Sequence, residues 1–332
     1  MDDQLGDKLS CILKTVEKKL PIMYQLSESY EVKLLKYSEN ITCLVTDEKQ
    51  MLKGVLRINR PHYHTLEELI GEVTWMEEIK KDTDLILPQI YKGIDGELIQ
   101  SFVEQNTTYY CSMFSFLEGN LIREMEGEEL LQQIENVGKI AATLHCQIEN
   151  RKSRNELARF IWGYEELLGE QPRWGSWEHY SGLTQENIKL FQRVSSIIKK
   201  RLERYGKDKR KYGLIHADLH LSNIIVNHEK IQVFDFDDCG YSWYLYDLGC
   251  SLVQYSKNLE CYVHAWIKGY EEIRSVTKED KQEIPTFLLM RRLARLGWMS
   301  TRSKNDTVKE VGEDYLKATI DMAEKYLQTM TE

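Results

Sequence analysis

Proline is scarce in this sequence, five in 332 residues, and no low-complexity tract or internal repeat breaks the chain. Collagen-like, proline-rich and disordered architectures are thereby excluded. Nor does any window reach the roughly 18 apolar residues that a membrane-crossing helix needs. The opening stretch, Met1 to Leu20, alternates charged with apolar residues and lacks the basic start, apolar middle and small-residue cleavage site of a secretory leader. The seven cysteines (Cys11, Cys43, Cys111, Cys146, Cys239, Cys250 and Cys261) are scattered without a C-x-x-C pair, which removes the common zinc patterns and points to reduced packing residues. Positive charge is also short. At a formal net charge of -9, no binding to nucleic acid or to an anionic membrane is expected, since both require a basic surface. The expectation is a cytoplasmic protein.

What is present is the composition of a globular chain, 42% apolar and 29% charged, with a length that suggests about two domains. Residues 30–60 alternate in strand-like runs. Ile41 to Thr46 and Gly54 to Ile58, separated by the polar turn Asp47 to Gln50, read as a hairpin. Leu66, Leu69, Val73, Met76 and Ile79 recur at helical spacing, predicting a helix over Leu66 to Lys80. Ile86 to Ile99 and Tyr109 to Phe116 read as further strands, with turns at Asp95-Gly96 and around Asn106. After Gly119 the texture becomes helical: Leu130, Ile134, Val137, Ala141 and Leu144 line one face, with Glu126, Glu128 and Glu129 at the end where a helix is electropositive. The chain therefore divides into a sheet-rich part with one helix, residues 1–115, and a helical part, residues 116–332. This is an α+β protein of two lobes.

The helical part is broken between Tyr212 and Asp238 by YGLIHADLHLSNIIVNHEKIQVFDFDD. Short apolar strands, Ile224 to Val226 and Ile231 to Phe236, flank a turn at Asn227 to Lys230. The spacing His216-x-Asp218-x4-Asn223, followed by Asp235 in the second strand, gathers residue types that suit phosphoryl transfer. That chemistry asks little covalent work of a protein; it needs positioning and neutralisation of phosphate charge. Asp218 can accept the proton of an attacking hydroxyl. Asn223 and Asp235 supply hard oxygen ligands for Mg²⁺, leaving other positions of its octahedron to phosphate and water. On the nucleotide side, a cation on a strand should meet phosphate and be steadied by a helical glutamate; Arg57 and Glu72 occupy such places.

These residues resemble the aminoglycoside phosphotransferase and choline kinase superfamily, whose catalytic segment reads close to H-G-D-L-H-x-x-N followed by I-D-F/W-x-D. The matching positions are His216, Asp218, Leu219, His220, Asn223, Asp235, Phe236 and Asp238. Tyr246-Asp247-Leu248 is similar to the family's Y-D-L, and Gly138 to His145 (GKIAATLH) to its G-x-x-x-A-x-L-H helix. The resemblance implies a protein-kinase-like fold, with a small β-rich N-lobe that binds ATP and a larger helical C-lobe. It implies an ATP- and Mg²⁺-dependent enzyme that moves the γ-phosphoryl group to the hydroxyl of a small molecule. The usual lysine of the nucleotide strand is replaced by Arg57 in a V-L-R-I-x-R-P segment, Val55 to Pro61.

By the same resemblance, Ser38 and Asn40 lie in the turn that covers the phosphates. Ser112 to Gly119 is similar to the segment where backbone groups of Ser115 and Leu117 meet adenine. His216 and Asp247 are expected to brace the catalytic loop. Asp237 and Asp238 are open to two readings, contact with a cationic acceptor or solvation. For Trp162, Trp174, Trp177, Tyr180, Trp266, Tyr270 and Trp298 core packing is favoured over an aromatic pocket. Arg291, Arg292 and Arg295 are read as solvated helix residues, with an anionic acceptor as the alternative. The acidic balance favours an amine-bearing acceptor. Two other readings stay open: a protein Ser/Thr kinase similar to bacterial stress-response members, and a non-catalytic nucleotide-binding protein related to spore-coat-associated members.

Overall fold

The computed structural model describes residues 2–122, 125–152, 155–228, 230–302 and 306–330. In chain order the first half holds α1 (Asp2–Tyr24), β1 (Tyr30–Tyr37), β2 (Ile41–Asp47), β3 (Leu52–Ile58), α2 (Leu66–Asp82), β4 (Ile90–Tyr91), β5 (Gln100–Glu104), β6 (Thr107–Ser115), β7 (Asn120–Leu121) and α3 (Gly127–Glu149). There follow β8 (Phe160–Ile161), α4 (Tyr164–Leu168), α5 (Gln185–Tyr205), β9 (Tyr212–Ile215), β10 (Ile224–Asn227), β11 (Lys230–Val233), β12 (Gly240–Trp243), α6 (Tyr246–Leu252), α7 (Leu259–Glu271), α8 (Lys278–Ser300) and α9 (Asp306–Thr329). Two compact units result: Met1–Gly119 with Asn155–Arg159 and Asn227–Asp237, and Asn120–Arg154 with Phe160–Val226 and Asp238–Glu332. An antiparallel sheet dominates the first unit and helices the second, so the α+β class holds.

In the first unit the strands run β1-β2-β3-β6-β4, with β5 also paired to β6. Along β2, Ile41, Cys43 and Val45 are buried while Thr42, Leu44 and Thr46 between them are half-buried, the two-residue period of a strand with one face on a core. That core is closed by α1, which contributes Ile12, Val16, Leu20 and Met23. This helix is an addition to the single one expected in the N-terminal third. Helix α2 starts at a capping box in which Thr65 and Glu68 satisfy each other's backbone N–H groups, and it buries Leu69, Val73, Met76 and Ile79.

Two strand expectations are corrected. Between Ile86 and Ile99 only Ile90–Tyr91 pairs with β6, because a turn closed by the Gly93 N–H on Glu97 O, with Gly96 at φ 86°, folds the chain back before Gln100. Asp235 lies beyond the end of β11, not within it, and has a left-handed φ of 64°. Of the expected turn at Asn227 to Lys230, Glu229 lies outside the described residues.

In the second unit α3 and α7 pack backbone to backbone through glycines. A Cβ on Gly138 would stand 2.0 Å from Trp266 O, and one on Gly269 1.8 Å from Glu135 O. Strand β12 joins β8 in parallel and β9 antiparallel, which fixes the start of the loop after Ile215. Trp162, Trp174, Trp177, Tyr180, Trp266 and Tyr270 are buried, so core packing is their role. No helix among the described residues is long and apolar enough to cross a membrane.

Candidate active site

In the second unit the chain leaves β9 into a tight loop carrying Asp218. Its geometry is set from underneath by Asp247, whose Oδ1 accepts the Ala217 N–H at 2.8 Å and whose Oδ2 accepts the His216 N–H at 3.2 Å. Asp247 Oδ2 also lies 3.1 Å from His145 Nε2, and His145 Nδ1 is 2.8 Å from the Tyr270 hydroxyl. The Y-D-L and G-x-x-x-A-x-L-H segments thus meet beneath the loop. His216 is fully buried and its Nδ1 accepts the Asp218 N–H at 3.4 Å, a brace in geometry. Ala217 is held at φ 62°, and its carbonyl accepts the Cys250 thiol at 2.9 Å.

Both oxygens of Asp218 are engaged. Oδ1 accepts from Arg291 Nη2 at 2.9 Å; Oδ2 accepts from Asn223 Nδ2 at 3.1 Å and lies 3.2 Å from His220 Nε2. His220 Nδ1 accepts the Ser222 N–H, so Nε2 carries the ring proton and donates to Asp218. Burial pushes the Asp218 carboxyl up, but His220 and Arg291 outweigh it and hold the group well below the usual carboxylate range. Asp218 is therefore an ionised acceptor at neutral pH. Asn223 uses its amide nitrogen on Asp218, both at the side chain and at Asp218 O, 3.0 Å. Its amide oxygen remains as a hard donor that fits Mg²⁺.

In the first unit Arg57 is clamped by Glu72 through two parallel bonds, Nη1 to Oε1 at 2.8 Å and Nη2 to Oε2 at 2.7 Å. Arg57 lies on β3 and Glu72 on the buried face of α2, so strand and helix place the pair. Arg57 Nη1 is also 3.5 Å from Asp237 Oδ1 and 4.0 Å from Asp235 Oδ1. Asp237 is the hub here: it accepts from Asn40 Nδ2 at 2.9 Å and Asn59 Nδ2 at 3.2 Å, and His64 Nε2 stands 3.2 Å away. Burial pushes its carboxyl up, while Arg57, His64 and Asn40 pull it far below the ordinary range. Phe236 anchors the segment by packing edge-on against Trp75, 5.5 Å between ring centroids. The Asp235 side chain is 45% exposed and offers carboxylate oxygens of the kind a hard cation takes.

The remaining nucleotide-side residues belong to the same unit. Ser38 is exposed in the bend after β1. The Asn40 side chain holds Asp237 and accepts the Arg60 N–H at 3.0 Å. The Ser115 N–H is donated to Gln89 O at 2.8 Å, the Gln89 N–H is donated to Ser115 Oγ at 2.9 Å, and Leu117 follows half-buried.

Two readings change. Asp237 is not solvated; it is buried, accepts from Asn40 and Asn59, and stands beside Arg57 and His64. Neither Arg291 nor Arg292 is a solvated helix residue: Arg291 is 6% exposed and paired with Asp218, and Arg292 is buried and donates to Thr319 Oγ1, Val253 O and Tyr315 O. A signal for Arg291 exists in the sequence, since it falls at helical spacing from Phe287, Leu288 and Ala294 on the apolar face of α8.

Residues 33–280 match the model of the phosphotransferase enzyme family, APH. The chain is 25% identical over 301 residues to amicoumacin kinase of Bacillus subtilis (strain 168), covering 86% of this chain and 84% of that protein. Among solved structures, a microcompartment-associated aminopropanol kinase superposes with a TM-score of 0.85 at 29% identity, covering 95% of this chain and 97% of that one. Amicoumacin kinase hAmiN, in complex with AMP-PNP, Ca²⁺ and Ami, gives a TM-score of 0.75 at 20% identity, with 93% of each chain covered. With a family match spanning most of its length, the chain belongs to the phosphotransferase enzyme family and is a kinase-like phosphotransferase.

Proposed function

We propose that this enzyme transfers the γ-phosphoryl group of ATP to the hydroxyl of a small amine-bearing alcohol, with Mg²⁺ as the divalent cation. The observation that carries the reading is Asp218, an ionised carboxylate fixed on a braced loop in a chain similar to an aminopropanol kinase. Asp218 accepts the acceptor's hydroxyl proton as the new O–P bond forms and the bond from the γ-phosphorus to the β,γ-bridging oxygen breaks, ADP being the leaving group. Asn223 and Asp235 are the ligands that would hold Mg²⁺ through oxygen. When bound, the cation neutralises phosphate charge.

Arg57, steadied by Glu72, contributes positive charge toward the phosphates, and Ser38 and Asn40 close over them. Ser115, through its carbonyl, and Leu117, through its N–H, meet the adenine. Use of a nucleotide and a divalent cation is supported by the AMP-PNP and Ca²⁺ bound to hAmiN. The amine is supported by the aminopropanol kinase, and Asp238, beside the engaged Asp237, is the carboxylate proposed to meet it.

The test is phosphorylation of a panel of amino alcohols, amino sugars, homoserine and a generic protein substrate with ATP and Mg²⁺. The expected result is turnover confined to amine-bearing alcohols, lowered about 10² to 10⁴-fold by Asp218→Asn. Loss of Mg²⁺-ATP binding is expected in Asp235→Ala. Turnover only on acidic or protein acceptors, or parental turnover in Asp218→Asn, would overturn the proposal.

A further inference from the structure

We infer that Arg291 is a positioning residue that locks the Asp218 carboxylate in its working rotamer, an inference that rests on Asp218 being the base. A carboxylate offers about four lone-pair sites. Arg291 occupies one on Oδ1, and Asn223 and His220 occupy two on Oδ2. What is left suits one acceptor hydroxyl. Asn223 and His220 belong to the same loop as Asp218 and travel with it. Arg291 comes from the middle of α8, which packs against α6 at Gly249, where a Cβ would stand 2.8 Å from Phe287 O. Of these three contacts, Arg291 is the one that ties the carboxylate to a separate rigid element.

The guanidinium is itself held. Its central carbon stands 4.7 Å from the Trp174 ring centroid and 5.9 Å from that of Tyr246. Its Nε and Nη1 are buried with no hydrogen-bond partner. A purely structural role would be better filled by an apolar side chain of similar volume, which leaves no donor unsatisfied. What the arginine adds over such a residue is the bond to Asp218 Oδ1. Because Nε and Nη1 are closed off from solvent, the cation acts on the acceptor through Asp218 rather than by touching it.

The experiment compares Arg291→Met, Arg291→Gln and Arg291→Lys with the parent, using ATP, Mg²⁺ and the amino alcohol turned over fastest in the panel above. Crystal structures of the variants and thermal melts accompany the kinetics. Arg291→Met should melt below the parent, because it strips the Asp218 carboxylate of its cation, and its kinetics are read on the folded protein. Its kcat should fall about 10²-fold, the scale of a misplaced reacting group, with the KM for ATP unchanged. Arg291→Lys should recover part of the loss, since it keeps charge but not the planar fork. In the Asp218→Asn background, Arg291→Met should add no further loss, and in the Arg291→Met crystal the Asp218 side chain should leave its present rotamer. Should Met not fold, Gln and Lys carry the test. Parental kcat in the folded variants, or an unmoved Asp218 in their crystals, overturns the inference while Asp218→Asn remains impaired. Parental turnover in Asp218→Asn instead strikes the base assignment itself.

Discussion

Asp247 on α6 accepts two successive backbone N–H groups, those of His216 and Ala217, with the shorter bond at 2.8 Å from Ala217. All of these groups are buried. Asp247→Ala leaves both amides and His145 without their acceptor. At about 1–3 kcal/mol for each of the three buried donors left unsatisfied, a destabilisation of about 3–9 kcal/mol is expected by urea denaturation, together with loss of turnover in the residual folded protein. A variant as stable as the parent would show that water or another group takes over both bonds.

Ala217 holds a left-handed φ of 62° at the position where the related catalytic segments carry glycine. An L-residue there costs roughly 1–2 kcal/mol, against which the greater freedom of glycine in the unfolded chain costs about 0.4–1 kcal/mol. Ala217→Gly should therefore raise stability by about 0.5–1 kcal/mol and leave kcat unchanged. The reading is a chemical denaturation midpoint; a lowered midpoint would mean that the Ala217 methyl packs to advantage.

Arg57→Met strips Glu72 of its partner and Asp237 of its nearest cation in a buried cluster. Breaking one side of such a pair typically costs about 3–5 kcal/mol. Arg57→Lys keeps the charge but cannot make both bonds to Glu72, and should cost about 1–2 kcal/mol. Equal stability of the lysine variant and the parent, measured by urea melts, would show that the two parallel bonds contribute nothing beyond charge.

The His145 ring is buried, and burial lowers its pKa below the ordinary value despite the opposing pull of Asp247. Asp247, Tyr270, Tyr244 and Arg274 face it. The unfolded chain takes up the proton first as pH falls through about 6.5. Stability contributed by neutral His145 is therefore present above that pH and lost below it. Unfolding free energy measured between pH 8 and 5.5 should decline on the acid side, and His145→Gln should flatten that decline. An identical slope in both proteins would assign the acid sensitivity to other groups.

Much of the site was legible because its parts are local. His216, Asp218 and Asn223 fall within one loop, and the strand-turn-strand pattern after them placed Asp235 near its end. Arg57 and Glu72 could be paired because a strand residue and a helix residue of opposite charge follow each other closely. What escaped was set by tertiary contact. Which of Asp235, Asp237 and Asp238 is buried follows from the left-handed turn at Asp235, and no propensity of Phe-Asp-Phe-Asp-Asp dictates that turn. Arg291 was missed because arginines on helices are ordinarily solvated, although its neighbours Phe287, Leu288 and Ala294 mark an apolar face. Helix α1 was legible after the fact, since Ile12, Val16, Leu20 and Met23 share one stripe.

The seam between α3 and α7 has a bearing on how such a sequence can change over time. Where side chains interdigitate, a bulky substitution can be answered by a smaller neighbour. At Gly138 and Gly269 the opposing atoms are main-chain carbonyls, and no mutation shrinks a carbonyl. Variation at those two positions is closed unless the helices part, and parting would pull Tyr270 from His145 and so loosen the support of Asp247. Diversification toward new acceptors is then confined to surfaces away from that seam.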